Sequence, residues 1–144
     1  MTRILVDVNL ILDVLLDRRP HAEAASLVWA AVETGRADGF LSAHAVTTIH
    51  YLNSRAVKAA IARETTTALL SVFSVAAVDE NVLGEASALG WPDFEDAVTA
   101  AAARAAGCDA LVTRNPRDFK RSPVRVITSD QAAAWLRETG DVRA

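Results

Sequence analysis

A single cysteine, Cys108, stands in 144 residues, so no internal disulfide can form, and a reducing compartment is the expected setting. Six glycines and four prolines are too few for a collagen-like repeat or a flexible linker. No apolar run approaches the roughly 18 residues that a membrane span needs. Arg3 to Val6 reads as a strand directly after the start, which leaves no stretch for a secretory leader and makes the cytoplasm the expected location. Charge of one sign is also scarce. The formal net charge of −3 excludes a protein that coats nucleic acid by bulk attraction, while leaving room for a local basic patch.

Several catalytic systems are missing as well. There is no Gly-rich phosphate loop of the Rossmann or P-loop kind and no nucleophile-elbow serine. Cys108 lies in a helix-to-strand turn with no histidine near it in sequence. His21, His44 and His50 lack zinc-site spacing and read as surface or packing residues.

What remains is a chain that is 51% hydrophobic and 23% charged, which is the composition of one globular domain spanning residues 1–144. Ile4 to Val6 reads as a strand ended by Asp7, and the apolar stretch from Asn9 to Leu16 as a buried helix. A second helix is expected from Pro20 to about Thr34, closed by Gly35, followed by a brief strand at Gly39 to Ser42. Helical spacing then runs from Ser42 or Ala43 past Tyr51 and from Ala56 to Phe73. Ser74 to Val78 alternates as a strand, and Asp79 with Glu80 opens a helix that stops before Gly90. Asp93 starts an Ala-rich helix that Gly107 closes. Ala110 to Thr113 and Val124 to Thr128 are the last strands, separated by a turn at Asn115, Pro116 and Arg117. A final helix covers Asp130 to Glu138. Strands alternating with helices predict a parallel sheet covered on both faces.

In such a sheet, ligands bind outside the carboxyl ends of the strands. Asp7 ends the first strand, Asp93 and Asp96 sit at a helix start, and Asp118 follows the Ala110 to Thr113 strand. Four carboxylates can therefore meet at one edge. Their mutual repulsion is usually relieved by a hard cation such as Mg2+, which can activate water and neutralise charge on a phosphodiester. The structural alternatives stay open: Asp7 as a turn residue, Asn9 or Asp93 as a helix cap, Asp96 as a partner of the helix dipole. Arg114, Arg117, Lys120, Arg121 and Arg125 crowd a segment whose one acid is Asp118, which suits either RNA phosphates or a solvated loop. Trp29, Trp91 and Trp135 read as core or interface anchors rather than base-stacking platforms.

The pieces ILVDVNLILDVLL, LSAHAVTTIHYL, DFEDAVTAAAARAAGCDALVTRNPRDF and VRVITSDQAAAWL, taken in this order, resemble the PIN domain family, and within it the VapC-type toxins of bacterial toxin-antitoxin pairs. The resemblance implies a three-layer α/β/α sandwich with a central parallel sheet. It also implies an endoribonuclease dependent on Mg2+ or Mn2+, often a homodimer, held inactive by a cognate antitoxin. By resemblance Asp7 and Asp96 look like metal ligands, and Asp118 like an acid that holds the metal directly or through water. Asn9 matches the polar residue after the first aspartate, and Thr113 the threonine that closes the strand beside the site. Asp93 accompanies Asp96 in relatives with a similar helix start; in the nuclease expectation Asn9, Thr113 and Asn115 would orient ligands or water, and Arg114 and Arg117 are candidates for contacting RNA phosphates.

Two positions depart from that pattern. Thr48 stands where many relatives carry glutamate, and Asn115 where many carry aspartate. Fewer carboxylates favour one metal over two, with Asp93 as a substitute for the missing acid. They also define the rival expectation, a catalytically weak or inactive PIN-like module that binds RNA or protein. A phosphatase using Asp7 as nucleophile ranks last, because no lysine supports it in a recognisable motif.

Overall fold

The computed structural model describes residues 1–141 and contains five strands in one parallel sheet. The strands are β1 (Arg3–Val6), β2 (Asp38–Ser42), β3 (Ser74–Ala76), β4 (Ala110–Val112) and β5 (Arg125–Ile127). Their order is β3-β2-β1-β4-β5, with Leu5 of β1 opposite Phe40 on one side and Leu111 on the other. Around the sheet lie α1 (Val8–Leu15), α2 (Ala22–Glu33), α3 (Ala43–Ser54), α4 (Ala59–Val72), α5 (Glu80–Leu89), α6 (Phe94–Ala105) and α7 (Ser129–Asp141). The three-layer α/β/α sandwich implied by the resemblance is thus the fold observed.

Strand alternation sends successive side chains to opposite faces, and each face builds its own core. Ile4 and Val6, Leu41, and Ala110 and Val112 join Leu10, Ile11, Val28, Ile49, Leu69 and Leu136, from α1, α2, α3, α4 and α7. Leu5, Phe40, Ala76 and Leu111 point the other way, to Val82 and Ala86 of α5 and the alanines of α6. Both faces of the central strands are buried, which is why β1 and β4 read as unbroken apolar runs. Truncating Ile4 or Leu111, each fully buried, would cost about 2–5 kcal/mol.

The element ends differ from expectation where hydrogen bonds decide them. β3 stops at Ala76 rather than Val78, because its partner β2 ends at Ser42, opposite Ala76, and gives way to α3. β5 likewise ends at Ile127, opposite the last residue of β4. The turn after β4 is a 3-10 turn over Pro116–Phe119. Asp7, not Asn9, is the cap of α1. Gly90 and Gly107 take positive φ just past α5 and α6, as expected of closing glycines. Residues 142–144 lie outside the described residues, and no helix among those described is long and apolar enough to cross a membrane.

Candidate active site

From β1 the chain proceeds to β2 and β3 on one side of the sheet, and then to β4 and β5 on the other. The order reverses between β1 and β4, so a crevice opens outside their carboxyl ends. Asp7 and Thr113 are the first residues beyond those two ends. Backbone bonds fix both: Asp7 N–H donates to the Val112 carbonyl at 2.9 Å, and Thr113 N–H to the Ile127 carbonyl at 3.0 Å. The Thr113 hydroxyl donates to Asp7 Oδ2 at 3.0 Å, and Val8 N–H donates to Asp7 Oδ1 at 2.8 Å. The Thr113 oxygen in turn accepts from Asn115 N–H at 3.2 Å. Burial raises the Asp7 carboxyl above its ordinary value despite these two donors, and Glu95 adds to the rise.

The second half of the crevice is the start of α6. Asp93 takes extended backbone geometry and caps the helix, its Oδ1 accepting from Asp96 N–H at 3.2 Å. That bond realises the capping alternative for Asp93. Asp96 lies in the first turn, half-buried, and its carboxyl is pushed up to about 7. Burial is the largest cause, followed by the negative charges of Asp93, Asp7, Asp118 and Glu95. Asp118 projects from the 3-10 turn, exposed, with its N–H bonded to the Asn115 carbonyl at 3.1 Å. A cleft of about 300 Å3 is lined by Trp91, Asp93, Asp96, Arg117, Asp118 and Lys120. A larger hollow of about 390 Å3 between α2 and α7, lined by Leu27, Ala31 and Leu136, offers no carboxylate. The acidic cleft, next to the sheet's reversal, is therefore the candidate site.

The donors gathered here are hard carboxylate oxygens, which suit Mg2+ or Mn2+. Among the described residues, no three His, Cys, Asp or Glu side chains already stand as a ready group around one point.

Other predicted positions are placed as follows. Asn9 lies on α1, its Oδ1 accepting from Arg18 Nη2 at 3.3 Å. Arg114 does not extend toward the cleft: its Nη1 donates to Asp13 Oδ1 at 2.9 Å. Arg117 and Lys120 are exposed along the cleft, and Asn115 is exposed in the same segment without lining it. Thr48 Oγ1 donates to the His44 carbonyl at 3.3 Å within α3. Trp91 packs edge-on against Phe119 with centroids 5.8 Å apart. The Cys108 thiol is buried and pushed up to about 11, so it makes no nucleophile.

The sequence gives no role at the cleft to Glu95 or Asp13, and reads His44 only as a surface or packing residue. Glu95 was passed over as the middle of a helix start, yet its charge reaches Asp7, Asp96 and His44. His44 is half-buried with Nε2 3.5 Å from Thr99 Oγ1 and Nδ1 without a partner, and burial lowers its pKa. Asp13, inside the apolar run of α1, is fully buried. A lone acid in such a run was the available signal for it.

A family profile described as a PIN domain matches residues 3–117. With four-fifths of its length inside that match, the chain belongs to the PIN domain family. Solved structures agree on the fold. DNA-bound VapBC from Salmonella typhimurium is 19% identical, with 90% of this chain and 99% of that chain covered and a TM-score of 0.69. A toxin-antitoxin complex from Klebsiella pneumoniae is 22% identical over 88% and 97%, with a TM-score of 0.66. VapC20 from Mycobacterium tuberculosis, described as a toxin that cleaves the sarcin-ricin loop, is 19% identical over 75% and 86%, with a TM-score of 0.61. No curated protein matches the chain in sequence.

Proposed function

We propose that this chain is a single-domain, Mg2+- or Mn2+-dependent endoribonuclease, the toxin of a toxin-antitoxin pair, acting in the cytoplasm as a homodimer held in check by an antitoxin. The observation that carries the reading is the cleft lined by Asp93, Asp96 and Asp118 beside Asp7, the first residue beyond β1 at the reversal of the sheet, where the neighbouring negative charges raise the Asp96 carboxyl. Such concentrated negative potential is costly in an empty cleft and favourable around a divalent cation. Resemblance in fold to the VapBC and VapC20 structures supports the toxin and antitoxin parts of the reading.

Asp7, Asp96 and Asp118 would hold the cation, which when bound supplies an activated water and charge neutralisation at the phosphodiester. The remaining work belongs to the chain. Thr113 orients Asp7 through its hydroxyl and keeps one carboxylate oxygen fixed. Asp93 holds the first turn of α6 and so the backbone of Asp96. Asn9 and Asn115 orient ligands or water, and Arg117 meets the RNA backbone next to the cleft. No side-chain nucleophile is required. Arg114 serves less directly, because its guanidinium is engaged by Asp13.

Cleavage of a panel of structured RNAs with Mg2+, Mn2+ or EDTA, run beside Asp96→Asn, tests the reading. Metal-dependent cleavage that vanishes in a folded Asp96→Asn protein is the expected result. Wild type and variant equally inert with every metal, both folded and both binding RNA in EDTA, would replace it with the non-catalytic module. One observation favours that second reading: Thr48, the hydroxyl at a usually acidic position, bonds within its own helix and brings no charge to the cleft.

A further inference from the structure

Asp13 is completely inaccessible, and a buried carboxylate is tolerated only when its charge is compensated. Its compensation is lopsided. Oδ1 stands 2.9 Å from Arg18 Nε and accepts from Arg114 Nη1 at 2.9 Å, while Oδ2 is buried with no hydrogen-bond partner. Two guanidiniums on one oxygen leave an excess positive charge, and an orphaned second oxygen is a poor way to stabilise a fold. What the trio does accomplish is connection. Arg114 directly follows Thr113, the partner of Asp7, and Arg18 reaches back through Nη2 to both the Asn9 side-chain oxygen at 3.3 Å and the Asn9 carbonyl at 3.4 Å.

We propose that Asp13 is a positioning residue: through Arg18 it orients the Asn9 amide, and through Arg114 it anchors the loop that follows Thr113. The proposal rests on the nuclease reading given above. It has a chemical consequence. With Oδ1 turned to Arg18, the Asn9 amide is left its Nδ2 hydrogens as the free function, so the relay sets Asn9 to work as a donor to a phosphate or carboxylate oxygen rather than as a ligand. Arginine suits the relay because its planar fork contacts Asp13 through Nε and Asn9 through Nη2 at once, which a lysine cannot do.

The test is a double-mutant cycle on RNA cleavage, read as kcat and KM separately, with thermal unfolding recorded for each protein. Asp13→Asn and Arg18→Lys should each lower kcat about tenfold, the scale of a misplaced positioning group, with KM changed less than about twofold. In an Asn9→Ala background Arg18→Lys should lower kcat no further, while Asp13→Asn should keep only the part of its loss that runs through Arg114. Arg18→Lys keeps the charge at a part-exposed site, so it decides the matter if Asp13→Asn fails to fold. Equal losses from Arg18→Lys in the presence and absence of Asn9, or no loss in Arg18→Lys, would overturn the proposal. The Asn9 side-chain amide resonances, identified by their disappearance in Asn9→Ala, give a readout that needs no activity. If they move in Arg18→Lys while the wild type cleaves nothing, the relay stands and the nuclease reading falls; if they do not move, the relay itself is wrong.

Discussion

The Thr113 hydroxyl and the Asp7 carboxylate, 106 residues apart in sequence, meet at 3.0 Å where the sheet reverses its order. The bond joins the ends of the two adjacent strands that frame the crevice, and Thr113 has no access to solvent. Thr113→Val keeps the shape and deletes the donor. Asp7 would then rise further in pKa and swing free, so Mn2+ affinity, followed by calorimetric titration, should fall about tenfold or more, the scale of a lost partner that orients a metal ligand. Unchanged affinity would mean that Asp7 is held by other contacts.

Asp96 makes stability depend on pH in an unusual direction. Its folded pKa of about 7 lies above the ordinary carboxylate value, so the folded protein keeps a proton that the unfolded chain has lost. Its stabilising effect is complete below about pH 4 and disappears as pH rises through about 7. The lowered pKa of His44 works in the opposite sense below about 6.5, so the cleanest window lies above that value. In EDTA, the wild-type Tm should fall between pH 6.5 and 8, the fall should be smaller in Asp96→Asn, and Mg2+ should restore the wild type at pH 8. A flat wild-type profile over that window would contradict the electrostatic account.

Asn9→Asp separates a donor from a ligand. The new carboxylate still offers an oxygen to Arg18 but removes the amide hydrogens. RNA cleavage should drop as far as in Asn9→Ala, about tenfold or more for a group that orients the reacting atoms. Tighter metal binding with preserved cleavage would make position 9 a ligand instead.

Arg114 and Arg117 are near neighbours with different expected phenotypes. Arg117 is exposed along the cleft, so Arg117→Ala should weaken RNA binding uniformly and reduce the salt dependence of KM by about one phosphate contact. Arg114→Ala removes a partner of the buried Asp13 and should cost about 1–3 kcal/mol in urea unfolding. Identical salt slopes for the two variants would argue against the distinction.

Gly39 and Gly84 test the packing. A Cβ on Gly39 would fall 2.6 and 2.7 Å from the Val32 methyl groups and 2.9 Å from Phe73, so Gly39→Ala should lose about 1–3 kcal/mol through overpacking. Gly84 lies within α5 with nothing within 4 Å of its would-be Cβ, and Gly84→Ala should gain about 0.5–1 kcal/mol. Chemical denaturation of both variants checks the opposite signs.

The sequence carried the elements well, because unbroken apolar strands and Asp or Gly punctuation are local signals: Asp79 and Asp93 cap α5 and α6 as their positions suggested. It also pointed to Asp93, Asp96 and Asp118, which line one cleft, and to Asp7 at the neighbouring strand end, since strand ends and helix starts converge in a parallel sheet. The strand order was not legible, as pairing of β1 with β4 is decided by contacts more than 100 residues apart. Arg114 shows a second limit. Counting charge located the basic segment but not the direction of a guanidinium, and the acid that holds it, Asp13, hides in a run whose other members are apolar. Charge reaching Asp7 and His44 from Glu95 is likewise a property of folded distances.

The alanines of α6 have a consequence for how the cleft could drift over evolutionary time. Ala100, Ala101, Ala102 and Ala103 are all buried between the sheet and neighbouring helices, so methyl groups set the thickness of that layer. One half of the crevice is attached to the sheet and the other half rides on this helix. A single added methylene in the layer would move Asp96 relative to Asp7 without altering any acid. Selection acting on plain aliphatic positions can therefore retune the spacing of the carboxylates, and two descendants with the same acidic residues need not hold them the same distance apart.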